Sequence, residues 1–408
     1  MIYQSLIRLL SPLIILIIAI EAIKRKGGKR FFCQRLGIEF SKKTGQNVSS
    51  PIWIHCASIG EVKAAESLIR HLTSFEDILI TTSTPTGATL VQELFSNSVS
   101  HSYLPFDWPY AIQNFLKTFT PKALWVVETE IWPNLYRLTQ KKGIPISLIN
   151  ARLSQKTLNS PAWLKATYRK TLLSVNQILA RSQLEADRFE TLGAPVEKIH
   201  VLDNLKYAGL VDQPDYPPII DREYVLAAST HHNEEQQLVS IWLKLNRPEL
   251  LVIVPRHPKR RDQILKALSS NRQSIAVFSL NELVTDQTKI YIDDQIGALM
   301  PLYAHAKLVI MGGAFVSKGG HNVLEPAAVK ATIITGSDMS DFEAETQLLL
   351  NKQAMIQLNS INELEHTIPA LLNNDSKRQT MGLAAYQVIK SQSHILNDYL
   401  KALGFNES

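Results

Sequence analysis

Residues 308–328 read LVIMGGAFVSKGGHNVLEPAA. Leu308, Val309, Ile310 and Met311 form the continuous apolar run expected of a parallel strand buried on both faces, and Gly312 and Gly313 end it. After five residues a second pair, Gly319 and Gly320, and a His321-Asn322 step lead into Leu324-Glu325-Pro326-Ala327-Ala328, which reads as the start of a helix. Strand, glycine-rich turn and helix start make a phosphate cradle: glycines let backbone N–H groups approach an anion, and the helix end adds roughly half a positive charge. Glu325, in the first turn, is placed to accept hydrogen bonds from ribose hydroxyls. Paired glycines also close ordinary strand-to-helix turns. Together, the two pairs, the His-Asn step and the early Glu suggest a nucleotide or nucleotide-sugar site.

Outward from this stretch, apolar runs at 224–228, 250–254, 274–278 and 332–335 alternate with helical patterns. The first half repeats the theme at 52–56, 78–82, 123–127, 144–149 and 177–180. This alternation predicts an α/β chain with two doubly wound parallel sheets, whose ligands bind beyond the carboxyl ends of the strands. The 408 residues, 45% of them hydrophobic, suffice for two such cores. The polar, proline-bearing stretch 209–220 is the predicted linker between domains at 31–208 and 221–408, with the ligand expected between the halves. A last helical pattern, 376–403, is long enough to return to the first domain.

Residues 9–23 are apolar apart from Ser11, Pro12 and Glu21, and Lys24, Arg25, Lys26, Lys29, Arg30 and Arg35 follow directly. Arg8 and Lys24 bracket 15 residues, about 23 Å of helix against roughly 30 Å of hydrocarbon. Residues 1–30 are therefore expected to lie in a membrane interface or to span it tightly, with the basic cluster on anionic lipid and the body cytoplasmic. A packed N-terminal helix with a solvated basic end is the alternative. Cys33 and Cys56, with no CxxC, indicate neither a disulfide framework nor a zinc site. His231-His232 faces two directions in most backbones and is not expected to bind metal. The net charge of +6 gathers behind the apolar segment and is not interleaved with aromatics, so nucleic acid is not an expected partner.

Four consecutive predicted strands deliver polar groups to one rim. The first ends in Ala57-Ser58-Ile59-Gly60-Glu61, where Glu61 either complements a helix dipole or projects toward an incoming hydroxyl as a base. The next ends in Thr82-Ser83-Thr84-Pro85-Thr86-Gly87, a capped turn. Then come Glu128-Thr129-Glu130-Ile131-Trp132-Pro133-Asn134 and Asn150-Ala151-Arg152-Leu153.

With Asn204-Leu205-Lys206, Val254-Pro255-Arg256-His257-Pro258 and residues 312–326, these motifs resemble, over nearly the whole chain, the 3-deoxy-D-manno-octulosonic acid (Kdo) transferases of Gram-negative lipopolysaccharide synthesis. The resemblance implies a GT-B fold, CMP-Kdo as donor and the tetraacylated disaccharide lipid A precursor (lipid IVA) as acceptor, at the cytoplasmic face of the inner membrane. It puts the catalytic base on Glu61 and transition-state supports on Glu128 and Lys206. CMP contacts fall on Pro255 and Arg256, on Ile296, Gly297 and Ala298, and on Asn322, Val323, Leu324 and Glu325. With Glu61 as the one base, a single inverting displacement without cofactor or metal is expected; a retaining route would need a second nucleophile, for which Glu128 is the candidate. No aspartate-x-aspartate pair is placed to hold a divalent ion, and Asp293-Asp294 reads as a strand-end turn.

The chain departs from the family pattern at Asp203, at Ala298, where an acidic residue is usual, and at Asp341, where Asn is common. The alternatives are a GT-B enzyme using a UDP-sugar on a lipid acceptor, and a membrane-docked nucleotide-binding protein without catalysis. Glu61, Lys206 and Arg256 weigh against the latter.

Overall fold

Unbroken runs of β-branched and aliphatic residues form interior parallel strands, because both faces of such a strand are covered by helices. The computed structural model describes residues 2–25, 27–40, 50–211, 213–295 and 297–405. The chain divides into two units, one built from Met1–Ala208 with His394–Ser408, the other from Gly209–Ser393.

The first unit holds β1 (Ile52–His55), β2 (Ile78–Thr82), β3 (Ser100–Tyr103), β4 (Ala123–Val127), β5 (Ile146–Ala151), β6 (Gln177–Ala180) and β7 (Ile199–Val201). All pair in parallel, in the order β3-β2-β1-β4-β5-β6-β7. The strand order reverses between β1 and β4, and loops diverging there open a crevice at the carboxyl ends. Trp53, Leu79, Phe115, Val126, Leu148 and Phe189 share one core of this unit.

The second unit holds β8 (Tyr224–Thr230), β9 (Leu250–Pro255), β10 (Ile275–Val277), β11 (Ile290–Ile292), β12 (Leu308–Met311), β13 (Ile333–Thr335) and β14 (Met355–Gln357). They are again parallel, in the order β10-β11-β9-β8-β12-β13-β14, with the reversal between β8 and β12. Val225, Trp242, Ile253, Ile310 and Leu364 anchor its core.

Two helical expectations change. The apolar N-terminal segment is a pair of helices, Ile2–Leu9 and Ser11–Lys24, bent by 57°, because Pro12 is favoured in a first turn and disfavours continuation from the preceding helix. Among the described residues no single helix is long and apolar enough to cross a membrane. Ile7, Ile18 and Ala22 pack with Phe31, Tyr103 and Trp108, whereas Leu9, Leu13, Leu16, Ile17, Ile20 and Ile23 are exposed. Arg35 is not part of a lipid-facing cluster: it is buried and donates to the Leu104 carbonyl at 2.7 Å, and burial lowers its pKa to about 10. Arg30 donates to the His101 carbonyl, and Lys26 lies outside the described residues.

The C-terminal pattern is two helices, Asp375–Lys390 and Ile395–Ala402, broken at 391–394. The second belongs to the first unit, where it packs on helix Ile59–Leu72 and on the 3-10 turn Leu205–Tyr207. The buried Tyr399 hydroxyl donates to the Asp203 carbonyl at 3.1 Å.

Candidate active site

In the first unit, polar residues converge at the β1–β4 reversal. Ser58 precedes helix Ile59–Leu72, and Glu61 in the first turn folds back over the helix start. Its carboxylate accepts the Ala57 N–H at 2.5 Å and the Ser58 hydroxyl at 3.2 Å. The first of the two roles considered for Glu61, complement to the helix start, is therefore met by these hydrogen bonds, and the same carboxylate lies at the rim. Burial pushes its pKa up; the Ala57 N–H and Ser58 hydroxyl pull it down, Glu128 and Glu130 push it up again, and it stands at about 8. A carboxyl poised there can exchange protons near neutral pH, as a general base must.

Three non-glycine residues at or just beyond strand ends of this sheet have left-handed backbone: Glu128 (φ 58°) after β4, Asn150 (φ 50°) near the end of β5 and Asp203 (φ 59°) after β7. For a glutamate this conformation is uncommon, and such outliers concentrate at functional sites. Glu128 Oε1 lies 4.0 Å from Lys206 Nζ. The turn carrying Lys206 is held by Asn150 Oδ1, which accepts the Leu205 N–H at 3.0 Å, and by Asn204 Oδ1, which accepts the Lys206 N–H at 3.1 Å. Glu61, Glu128 and Lys206 therefore share one rim.

Glu130 and His55 complete this rim, and neither is singled out by the sequence for a role. Glu130 accepts the Trp132 indole N–H at 2.7 Å and lies 3.8 Å from Nε2 of the buried His55. Burial raises the Glu130 carboxyl, but His55, Trp132 and Arg35 outweigh that and hold it below its ordinary value. Glu130 is thus the fixed negative charge beside the titrating Glu61. His55 is the last residue of β1, so its position in the topology is the signal that could have found it. The same rim is tied to the N-terminal helix pair: Gln4 bonds the Asn134 side chain, and the Asp107 carboxylate accepts the Tyr3 hydroxyl at 2.7 Å and the Asn134 N–H at 2.9 Å.

In the second unit the glycine turn after β12 is in place, but its donors are used internally. Gly312 N–H bonds the Ala228 carbonyl at 2.8 Å, and Gly313 N–H bonds both Glu234 oxygens at 2.9 Å. Gly319 N–H bonds Asp338 Oδ2 at 2.8 Å, and Gly320 N–H points to the Gly313 carbonyl at 3.4 Å. The expectation that these glycines present N–H groups to an anion is corrected: Glu234 and Asp338 occupy that place. Gly312 matters as a close approach, since a Cβ there would lie 2.5 Å from the Ser229 carbonyl oxygen and 2.7 Å from Thr230 Cα. Because backbone cannot give way as a side-chain tip can, Gly312→Ala is expected to destabilise the protein by about 2 kcal/mol or more, read as a lower urea midpoint. An unchanged midpoint would contradict the close packing.

Among the predicted nucleotide contacts, Arg256 follows β9, is exposed, and donates its N–H to the Thr230 carbonyl at 3.0 Å. Pro255 ends β9. Gly297 has φ 93° and Ala298 precedes helix Leu299–His305, which packs against helix Leu324–Ala328; Ile296 lies outside the described residues. Asn322 closes its own turn, accepting the Leu324 N–H at 3.0 Å and donating to Glu325 Oε1 at 3.2 Å. Val323 and Leu324 are fully buried, which leaves only their backbone for a ligand. Asp293 and Asp294 close turns, accepting from Gln295 and Ser279. Among the described residues no group of three or more His, Cys, Asp or Glu side chains is arranged to hold a metal ion.

Two histidines of this unit, His231 after β8 and His321 after the second glycine pair, stack with ring centroids 5.1 Å apart and Nε2 atoms 2.9 Å apart. His257 meets His231 edge-on at 6.0 Å. The sequence marks His321 only through the His-Asn step.

A family model for 3-deoxy-D-manno-octulosonic-acid transferase (kdotransferase) matches residues 30–209. A 3-deoxy-D-manno-octulosonic acid transferase of Haemophilus influenzae is 34% identical over 424 residues, covering 98% of this chain and 97% of the relative. Among solved structures, a glycosyltransferase from Rickettsia africae has a TM-score of 0.59 at 14% identity, covering 87% of this chain and 97% of that one. The UDP-GlcNAc 2-epimerase of Neisseria meningitidis, bound to UDP-GlcNAc, also scores 0.59, at 15% identity, with 86% and 99% covered. At such identities the structural likeness concerns the fold, a GT-B-type pair of doubly wound domains.

Proposed function

The chain belongs to the 3-deoxy-D-manno-octulosonic acid transferase family, and from that premise we propose that it transfers Kdo from CMP-Kdo to the lipid A precursor lipid IVA in one inverting displacement. The carrying observation is Glu61, a carboxyl held near pKa 8 at the β1–β4 reversal beside the Glu128–Lys206 pair. In this reading the ionised Glu61 takes the proton of an acceptor hydroxyl as its oxygen attacks the anomeric carbon, and the bond to the CMP phosphate breaks with its electron pair leaving on phosphate. Lys206 and Arg256 favour that developing negative charge, and Glu128 orients the Lys206 amine. Asn322 and Glu325, the Pro255 turn, the backbone of Val323 and Leu324, and the turn Gly297-Ala298 bind CMP. No step in this scheme calls on a metal.

A lipid acceptor suits the N-terminal helix pair, whose outward Leu and Ile side chains, flanked by Arg8, Lys24, Arg25 and Lys29, would dock on the cytoplasmic face of the inner membrane. The ties from Tyr3 and Gln4 to the Asn134 loop support delivery of a membrane-borne substrate to the rim. The test is a reaction of the full chain with lipid IVA and either freshly made CMP-Kdo or UDP-GlcNAc, read by mass spectrometry. Mass gains in Kdo units, with CMP released, are the expected result. Gains from the UDP-sugar alone, or none while the donor stays intact, would overturn the reading.

A further inference from the structure

The glycine turn of the second unit has the shape of an anion cradle but not its free donors, because Glu234 and Asp338 already accept from Gly313 and Gly319. Glu234 also accepts the His231 N–H at 2.8 Å, so a buried carboxylate fixes the turn and the histidine backbone together. What lies above the turn is the imidazole pair. A Cβ at Gly313 would come within 3.2 Å of His321 Nε2 and 3.3 Å of His231 Cδ2, so the absent side chain makes room for the two rings.

We infer that the His231–His321 pair is the anion seat of this domain and takes up one proton when the phosphate of the donor nucleotide binds. This rests on the reading that CMP-Kdo is the donor. At 2.9 Å, one Nε2 donates and the other accepts, so the neutral pair holds a single N–H···N bond. The groups facing it explain why it stays neutral when empty. His321 is lowered to about 4 by burial, then by His231, Arg256 and His257. His231 is lowered by burial, then by His257, Arg260 and Lys318; Glu235 opposes this but is engaged by Arg260 at 2.8 Å. An arriving phosphate reverses that balance. It favours an imidazolium, which can donate a charge-assisted hydrogen bond, and the proton comes from solvent with no bond in the nucleotide changed. In turnover the same proton would oppose the charge left on CMP as the glycosidic bond breaks.

Calorimetric titration of the full chain with CMP at pH 7.5, in buffers of different ionisation enthalpy, reads the proton directly. About one proton should be taken up per CMP bound and about none per cytidine, which lacks the phosphate. In His231→Gln and His321→Gln, each checked for an unchanged thermal midpoint, the uptake should vanish and CMP should bind about tenfold more weakly, with cytidine binding retained. Wild-type binding without proton uptake, or uptake that persists in a folded variant, overturns the inference. If CMP does not bind at all, the donor reading falls. The same titration with UDP then decides the histidine pair: uptake lost in the variants supports it, and its absence rejects it.

Discussion

Glu61→Gln is expected to lower turnover by about two to four orders of magnitude and to leave CMP affinity essentially unchanged. The substitution separates the two roles of this side chain. A glutamine carbonyl can still accept the Ala57 N–H, so the start of helix Ile59–Leu72 is kept, but the amide cannot take a proton. If Glu61 served only the helix, the variant would turn over nearly as fast as wild type. Single-turnover rates measured beside CMP titrations distinguish these outcomes. Glu61→Ala, which removes both functions, should lose stability as well as activity.

Lys206→Ala is expected to reduce kcat by about 10²–10³-fold, with a smaller change in the KM for donor. Lys206 faces Glu128 across 4.0 Å on a turn whose backbone N–H groups are held by the side-chain oxygens of Asn150 and Asn204, so its loss removes a positioned charge with the turn still pinned. It also leaves Glu128 without that counter-charge near Glu61, and the pKa of the base should rise further. The pH at half-maximal rate in the variant should therefore move upward. A fall confined to KM, or an unmoved pH profile with normal kcat, would place Lys206 outside the transition state.

Interior strands were legible in the sequence because parallel strands buried on both faces are written as unbroken Val, Ile and Leu runs, as in β4 and β12. The short strands Ile275–Val277 and Ile333–Thr335 are legible for the same reason, but other edge and very short strands are not. Ser100–Tyr103 has three polar residues of four and lies at a sheet edge, and Ile290–Ile292 and Met355–Gln357 are three residues long with a Tyr or a Gln breaking the aliphatic run. Glu61, Glu128 and Lys206 could be read as a rim because each follows a strand of one sheet or its connecting loop. The partners that define their chemistry could not. His55 faces inward from β1, and the influence of Glu130 on Glu61 depends on the approach of two loops about 70 residues apart. The glycine turn is legible in the sequence, but the internal use of its donors is not. The residues that take them, Glu234 and Asp338, come from the β8 loop and the β13 loop and carry no local signature.

The central claim, that Glu61 acts as the base in its ionised form, is tested most directly by the pH dependence of the single-turnover rate of the wild-type enzyme with saturating acceptor. A carboxyl raised to about 8 is largely protonated, hence inactive as a base, at lower pH. Sequence and burial together thus predict a rate that climbs from pH 6.5, passes half its maximum near 8 and levels above it, and Glu61→Gln should lack that rise. A wild-type profile flat from pH 6.5 to 9, or a rise complete near the ordinary carboxylate range, would contradict the assignment.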